Sequence, residues 1–174
     1  LHASSMSSSG AIEIVPRGFG GSNMHDAFHY LTPLALKHGP RAVILYEGDN
    51  DLAQGISPER ILEEFQKIVA KLHTDSPHAR LYFLSIKPSP SRAKLWPLAQ
   101  RTNQLIAEEC SRDGLLYYVD LATPMLDQSG KPRPELFIKD NLHLNRAGYE
   151  LWRDTLKPLL LKVEPLPPET PSKN

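Results

Sequence analysis

Asp140 and His143 are the side chains of this sequence best placed for acid–base chemistry. They stand three positions apart in Asp140-Asn141-Leu142-His143, just before the last predicted helix. At that spacing in a bend, both side chains can point the same way and the imidazole can lie along the carboxylate. A hydrolytic serine needs a base that takes its proton, and the base needs an acceptor that fixes its tautomer. The pair suits the acid–base needs of a serine hydrolase, but the spacing alone more often belongs to a helix-capping aspartate beside a surface histidine.

Two further segments can point hydrogen-bond donors at a developing negative charge. They are Gly18-Phe19-Gly20-Gly21 and Gly48-Asp49-Asn50-Asp51, and each follows a predicted strand. Charge builds on the carbonyl oxygen in the transition state of acyl transfer, and one preset donor lowers the barrier by about 3 kcal/mol. The alternatives are a plain turn, which Asp and Asn also favour, and a metal site on Asp49 and Asp51. The glycine and bidentate glutamate of a calcium-binding EF-hand loop are missing from this segment.

Strands and helices alternate along the chain, and this order predicts where the motifs lie. Apolar runs predict strands at residues 11–15, 42–46, 79–86 and 115–119. Amphipathic stretches and capping residues predict helices at residues 22–38, from 57 onward, 97–111 and 147–161. Such βα repeats form a mostly parallel, doubly wound sheet, which binds ligands beyond the carboxyl ends of its strands. We therefore expect the motifs at Gly18 and Gly48 to share one rim of the sheet.

The composition fits one domain with no sign of nucleic-acid binding or a membrane span. The chain has 174 residues with 20 basic and 20 acidic side chains, so no charge excess favours nucleic acid or an anionic membrane surface. No apolar run approaches the ~20 residues that a membrane helix needs. The single cysteine excludes an internal disulfide. We expect a domain over residues 1–162 and a proline-rich tail over residues 163–174.

The longer strings around these motifs carry a resemblance to a known family. The segment Asp140-x-x-His143-Leu144-Asn145-x-x-Gly148-Tyr149 resembles the final block of the SGNH (GDSL-type) serine hydrolases. The segment Gly48-Asp49-Asn50-Asp51 is similar to another of the family's blocks. Residues 16–21 resemble the block written Asn-x-Gly-x-x-Gly, although Pro16 replaces its asparagine.

The resemblance implies both a fold and a set of site residues. The implied fold is α/β, a three-layer α/β/α sandwich with a mostly parallel, flavodoxin-like sheet. Asp140 and His143 become the acid and base of a Ser-His-Asp triad. The Asn50 side-chain amide and the Gly21 N–H become donors of an oxyanion hole.

The nucleophile that this resemblance requires is a serine at the end of the first strand. Ala3-Ser4-Ser5 aligns with the family's Gly-Asp-Ser block, and this alignment selects Ser5, with Ser4 as the second choice. The alternative for this serine-rich start is a flexible terminus. Because the chain begins at Leu1 and its first strand would be short, we expect residues to be missing upstream or between Met6 and Ala11. No signal peptide is visible, which slightly favours a cytoplasmic location, but an upstream signal stays open.

The predicted function is hydrolysis of short-chain acyl esters without a cofactor or a metal. Residues 85–90 resemble a loop in a bacterial subgroup of the family that acts on carboxylic esters, often with short acyl chains. The expected partner is therefore a small-molecule ester, and a homodimer is the one protein assembly left open. Two alternatives remain: a carbohydrate O-deacetylase with the same mechanism, and a catalytically inactive binding module of the same fold.

Two other chemistries are weaker interpretations of the same sequence. His25 and His29 stand four apart on a predicted helix, as in the zinc motif H-E-x-x-H, but Asp26 replaces the glutamate and no third ligand is evident. The glycine-rich turn also suggests the dinucleotide fingerprint G-x-G-x-x-G, but Asn23 stands where the third glycine is required.

Overall fold

The computed structural model describes residues 13–164, which form five helices and three strands in an alternating order. The helices are α1 (Met24–Leu34), α2 (Asp49–Ala53), α3 (Pro58–Asp75), α4 (Trp96–Cys110) and α5 (Arg146–Val163). The strands are β1 (Ala42–Leu45), β2 (Arg80–Leu84) and β3 (Leu116–Val119). Short 3-10 turns occupy Leu36–His38, Pro90–Leu95, Thr123–Met125 and Pro134–Leu136. None of the helices in this part of the chain has the length and apolar character to cross a membrane.

The three strands form a parallel sheet in the order β1-β2-β3. Leu45 of β1 is paired with Phe83 of β2, and Leu84 of β2 is paired with Val119 of β3. Leu81, Tyr82 and Phe83 of the central strand are fully buried. This is the burial expected of a parallel strand that is covered on both faces.

Helices cover both faces of the sheet and make three layers. On one face, side chains of α1, α3 and α4 join Leu81 and Phe83 in a single hydrophobic cluster, in which the rings of Phe65 and Phe83 are 5.6 Å apart. On the other face, Tyr82 and Val119 pack with side chains of α5. The predicted α/β sandwich with a parallel sheet is therefore confirmed.

The strand predicted at residues 11–15 is wrong for the three of its residues that the structure describes. Residues 13–15 have no strand geometry, and Ile14 and Val15 are 59% and 50% exposed. An apolar β-branched run favours a strand only when a neighbouring strand takes up its backbone hydrogen bonds. Within residues 13–164 no strand pairs with this segment, and β1 pairs only with β2.

A buried carboxylate ties the end of α5 to the sheet. Glu164 caps the helix and is 2% exposed, and its oxygens accept hydrogen bonds from Arg80 and from the Tyr82 hydroxyl at 2.7 Å. Arg41 lies 2.8 Å away on the same carboxylate. Burial would raise the pKa of Glu164, but the bonds from Arg80 and Tyr82 bring it below the usual value of 4.5. The folded domain thus includes Val163 and Glu164 of the predicted tail, and residues 165–174 lie outside the described part.

We expect Glu164→Ala to lower the free energy of unfolding by about 3 kcal/mol, because it leaves the partly buried Arg80 and the buried Tyr82 hydroxyl without their partner. Urea denaturation at pH 7 measures the difference. The difference in free energy of unfolding between the wild type and the variant should become smaller as the pH falls below 4.5. A carboxylate with a depressed pKa stabilises the fold only while it is ionised. Asp154→Ala, which removes an exposed ion pair with Arg153, is the matched control and should cost less than about 1 kcal/mol. Equal losses in the two variants would contradict the anchoring role.

Candidate active site

Asp140 and His143 form a close pair on the loop before α5. The Asp140 Oδ2 atom is 2.6 Å from His143 Nδ1, and Oδ1 accepts the backbone N–H groups of Leu142 and His143 at 2.8 and 2.9 Å. The bonds from the His143 side chain and from these N–H groups lower the pKa of Asp140 to about 2. Because Nδ1 faces the carboxylate, Nε2 is the nitrogen left to exchange a proton. Both side chains are exposed, so a substrate can reach them.

The loop that carries this pair is closed by a short hairpin-like contact. Phe137 and Leu144 form an isolated antiparallel bridge, and the Ile138 N–H donates to the His143 carbonyl at 2.9 Å. Asn141 sits at the tip with φ of 56°, a left-handed conformation that asparagine tolerates better than most residues. The tight turn is what places Asp140 and His143 side by side.

The start of α5 fixes the base of the same loop. The Asn145 side-chain oxygen caps the helix by accepting the Gly148 N–H at 3.1 Å, while its Nδ2 donates to the carbonyls of Glu135 and Phe137. Gly148 is required here because a Cβ atom would lie 2.5 Å from the Leu136 carbonyl oxygen. The Asn-x-x-Gly spacing thus serves the docking of α5 and not the chemistry directly.

The second motif begins α2 at the carboxyl end of β1. Gly48 has φ of +107°, and a Cβ atom there would lie 2.5 Å from Ile86 Cδ1, so only glycine fits. Asp51 is 1% exposed and accepts the Gly48 N–H and the Met24 N–H at 3.1 and 3.0 Å. Asp51 therefore joins α2 to the first turn of α1, which leaves Asn50 as the residue of this motif that can reach a ligand.

Asn50 is held next to the glycine-rich loop. Its Nδ2 donates to the Ser22 carbonyl at 2.8 Å, and its Oδ1 accepts from Arg92 Nη2 at 2.9 Å. Ser22 directly follows Gly21, which has φ of +80°. The two predicted oxyanion donors therefore belong to neighbouring loops. Nδ2 carries two hydrogens, and among residues 13–164 only one of them is used, by the Ser22 carbonyl.

A buried cluster of charges lies beside Asn50, and the sequence motifs did not indicate it. Asp49 is 2.6 Å from Lys87 Nζ and 2.7 Å from Arg92 Nη1, and Lys87 also donates to the Tyr46 hydroxyl at 3.0 Å. Burial would raise the pKa of Asp49, but Lys87 and Arg92 lower it below its usual value. The sequence did contain one indication of this cluster. Lys87 directly follows the strand predicted at residues 79–86, at the edge of the sheet where ligands bind.

The Pro90–Leu95 turn connects the two halves of the site. Its Ser91 N–H donates to the Asn141 carbonyl at 3.1 Å, and its Arg92 side chain holds Asn50. The predicted residues Asn50 and Gly21 are thus linked through one loop to the loop of Asp140 and His143. Ser5 and Ser4 lie outside the described residues.

A partly buried carboxylate, Glu47, contacts the residue that follows the glycine-rich loop. Ser22 Oγ donates to Glu47 Oε1 at 2.7 Å. Burial raises the pKa of Glu47 to about 7, the Ser22 bond opposes this rise, and the nearby carboxylates of Asp51, Asp26 and Asp49 add to it. This edge of the sheet therefore carries a group that titrates near neutrality.

The two histidines of the zinc interpretation make other contacts. His25 Nδ1 lies 3.5 Å from Glu64 Oε2, and the His29 ring meets the Tyr30 ring edge-on. Within residues 13–164, no three His, Cys, Asp or Glu side chains group closely enough to hold a metal ion.

Solved structures share this fold. A Streptococcus pneumonia protein provisionally named a platelet activating factor superposes with a TM-score of 0.75 at 25% identity, over 84% of this chain and 72% of its own. A lipase/acylhydrolase from Enterococcus faecalis gives 0.66 at 18% identity, over 86% and 75%. A family 3 carbohydrate esterase from Clostridium thermocellum gives 0.62 at 18% identity, over 82% and 69%.

Sequence comparison adds the family. No curated protein sequence matches the chain. The sequence model of GDSL-like lipases and acylhydrolases, in contrast, matches residues 3–151, which include all three motifs. This chain therefore belongs to the GDSL-like Lipase/Acylhydrolase family.

Proposed function

We propose that this chain is a serine ester hydrolase that cleaves short-chain acyl esters. The observation that carries the proposal is the 2.6 Å contact between Asp140 and His143 Nδ1 on an exposed loop, which makes Nε2 the ring nitrogen for proton transfer. The family match to lipases and acylhydrolases supports the same reaction class. The resemblance of residues 85–90 to a subgroup that acts on esters with short acyl chains supports the substrate range.

The proposed nucleophile is Ser5, with Ser4 as the second choice. The family match begins at residue 3 and so includes both. The serine hydroxyl attacks the ester carbonyl while His143 Nε2 takes its proton, and the same proton then passes to the departing alkoxide. Water hydrolyses the resulting acyl-serine with His143 again acting as the base. Asp140 stays ionised throughout and stabilises the imidazolium.

The proposed oxyanion hole consists of the Asn50 amide, the Gly21 N–H and the N–H of the nucleophilic serine. Both ends of the Asn50 amide are already bonded, so its second N–H is preset and needs no reorganisation during the reaction. The expected ligand is a small-molecule ester, and a homodimer remains a proposal.

A carbohydrate O-deacetylase is the second candidate. It is favoured by the fold that the chain shares with a carbohydrate esterase of Clostridium thermocellum, and its mechanism would be the same. A panel of aryl acetates, longer aryl esters and acetylated sugars separates these substrates. A catalytically inactive binding module would hydrolyse none of them.

A fluorophosphonate probe should label the wild-type protein, and peptide mass mapping should place the label on Ser5. His143→Ala should lose the labelling and lower kcat by at least about 10³-fold, because the serine then has no base. The matched control is His78→Ala, which replaces an exposed histidine before β2 and should retain activity. Absence of labelling in the wild-type protein would favour the inactive module, and a label on Ser4 would move the nucleophile by one residue.

Asn50→Ala should lower kcat by about 10²-fold with little change in KM, because an oxyanion donor acts mainly in the transition state. Steady-state kinetics with a short-chain aryl ester measure both constants. Asn50→Asp keeps the shape but replaces the donor by an acceptor, so its kcat should be at least as low. An effect confined to KM would show that Asn50 only positions the substrate.

The pH dependence should report a histidine base beside a permanent carboxylate. We expect kcat/KM to rise from mildly acidic to neutral pH and then to level off, because the base acts only when it is neutral. Asp140 remains ionised over this range, since its pKa is about 2. Asp140→Asn should cut the plateau by about 10⁴-fold by favouring the wrong tautomer. A flat profile, or activity that a chelator abolishes and zinc restores, would instead revive the metal interpretation on His25 and His29.

A further inference from the structure

The Asn50 amide can adopt only one orientation in this structure. Its nitrogen faces the Ser22 carbonyl, which can only accept a hydrogen bond, and its oxygen faces the Arg92 guanidinium, which can only donate. A flip of the amide would place donor against donor and acceptor against acceptor. The direction of the remaining N–H is therefore set by these two partners, and Arg92 is the one supplied by a side chain.

Arg92 is itself held in place. Its Nη1 is 2.7 Å from Asp49, a carboxylate that Lys87 also binds at 2.6 Å, and the three side chains are 20%, 13% and 8% exposed. The backbone beside it is fixed by the hydrogen bond from Ser91 to Asn141. The planar guanidinium thus bridges Asp49 and Asn50, a two-sided contact that a lysine ammonium cannot reproduce with the same geometry.

We propose that Arg92 is a positioning residue for ester hydrolysis, which aims the free N–H of Asn50 at the oxyanion. The inference rests on the oxyanion role proposed above for Asn50. Arg92 acts through that amide and not on the ester, so its effect should fall on kcat and should need Asn50 to be present.

A double-mutant cycle tests this dependence. Arg92→Ala should lower kcat by about 10-fold with little change in KM, because the Asn50 amide loses the partner on its oxygen. In the Asn50→Ala background the same replacement should change kcat by less than about 2-fold, because no amide is left to orient. A residue that only supports the fold would give equal losses in both backgrounds.

Two further variants control for folding and charge. Arg92→Lys keeps a cation beside Asp49 and should fold normally, yet it should lose several-fold in kcat and show the same dependence on Asn50. If urea denaturation shows that Arg92→Ala is too unstable to remain folded in the assay, Arg92→Lys replaces it in the double-mutant cycle. Arg112→Ala removes an exposed arginine that pairs with Glu109, and its kcat should equal that of the wild type.

The outcomes separate this inference from the proposed function. If Asn50→Ala lowers kcat but Arg92 replacements multiply that loss by the same factor as in the wild type, the positioning role is wrong and the oxyanion role stands. A change confined to KM in the Arg92 variants would also contradict the positioning role and leave the oxyanion role of Asn50 intact. If Asn50→Ala leaves kcat unchanged, the oxyanion role of Asn50 fails and the inference fails with it.

Discussion

The carboxylate of Asp49 binds two cations of the segment that follows β2, and the geometry of the site depends on this contact. A buried charge is costly unless it is paired, so Lys87 and Arg92 allow an aspartate to follow Gly48 inside the fold. The ion pairs in turn fix the Pro90–Leu95 turn. That turn reaches the Asn50 amide on one side and the Asn141 carbonyl on the other. One loop, anchored by one carboxylate, thereby sets the spacing between the two halves of the site.

Asp140 and Asp49 are kept ionised by different means. Asp140 is exposed, and its pKa falls to about 2 because the His143 side chain and two backbone N–H groups bond to it. Asp49 is mostly buried, and two neighbouring cations overcome the cost of that burial. The first arrangement suits a group beside reacting atoms, where solvent and substrate must enter. The ion-paired arrangement of Asp49 suits a scaffold that must stay in place when solvent and substrate enter.

Local sequence patterns predicted most of the fold and the exposed half of the site. The three-residue spacing of Asp140 and His143 is a short-range signal, and the structure explains it through a contact within one loop. Gly48 is required both by its own positive φ and by the close approach of Ile86, which lies just after β2. The Lys87–Asp49 and Arg92–Asn50 contacts join residues 38 and 42 positions apart, so no spacing rule could indicate them. The strand prediction was wrong at residues 13–15 because a strand also depends on distant contacts. It needs a neighbouring strand, which its own residues do not specify.

The partly buried Glu47 contributes less to the stability of the fold as the pH rises from mild acid toward neutrality. Its pKa is about 7 in the folded protein against an ordinary value of 4.5, so the unfolded chain releases this proton at a lower pH. Between those two values, each rise in pH shifts the balance toward unfolding. The Glu47 carboxyl, bonded to Ser22 beside the glycine-rich loop, therefore stabilises the fold most in mild acid, whereas Glu164 at the end of α5 stabilises it most once it is ionised.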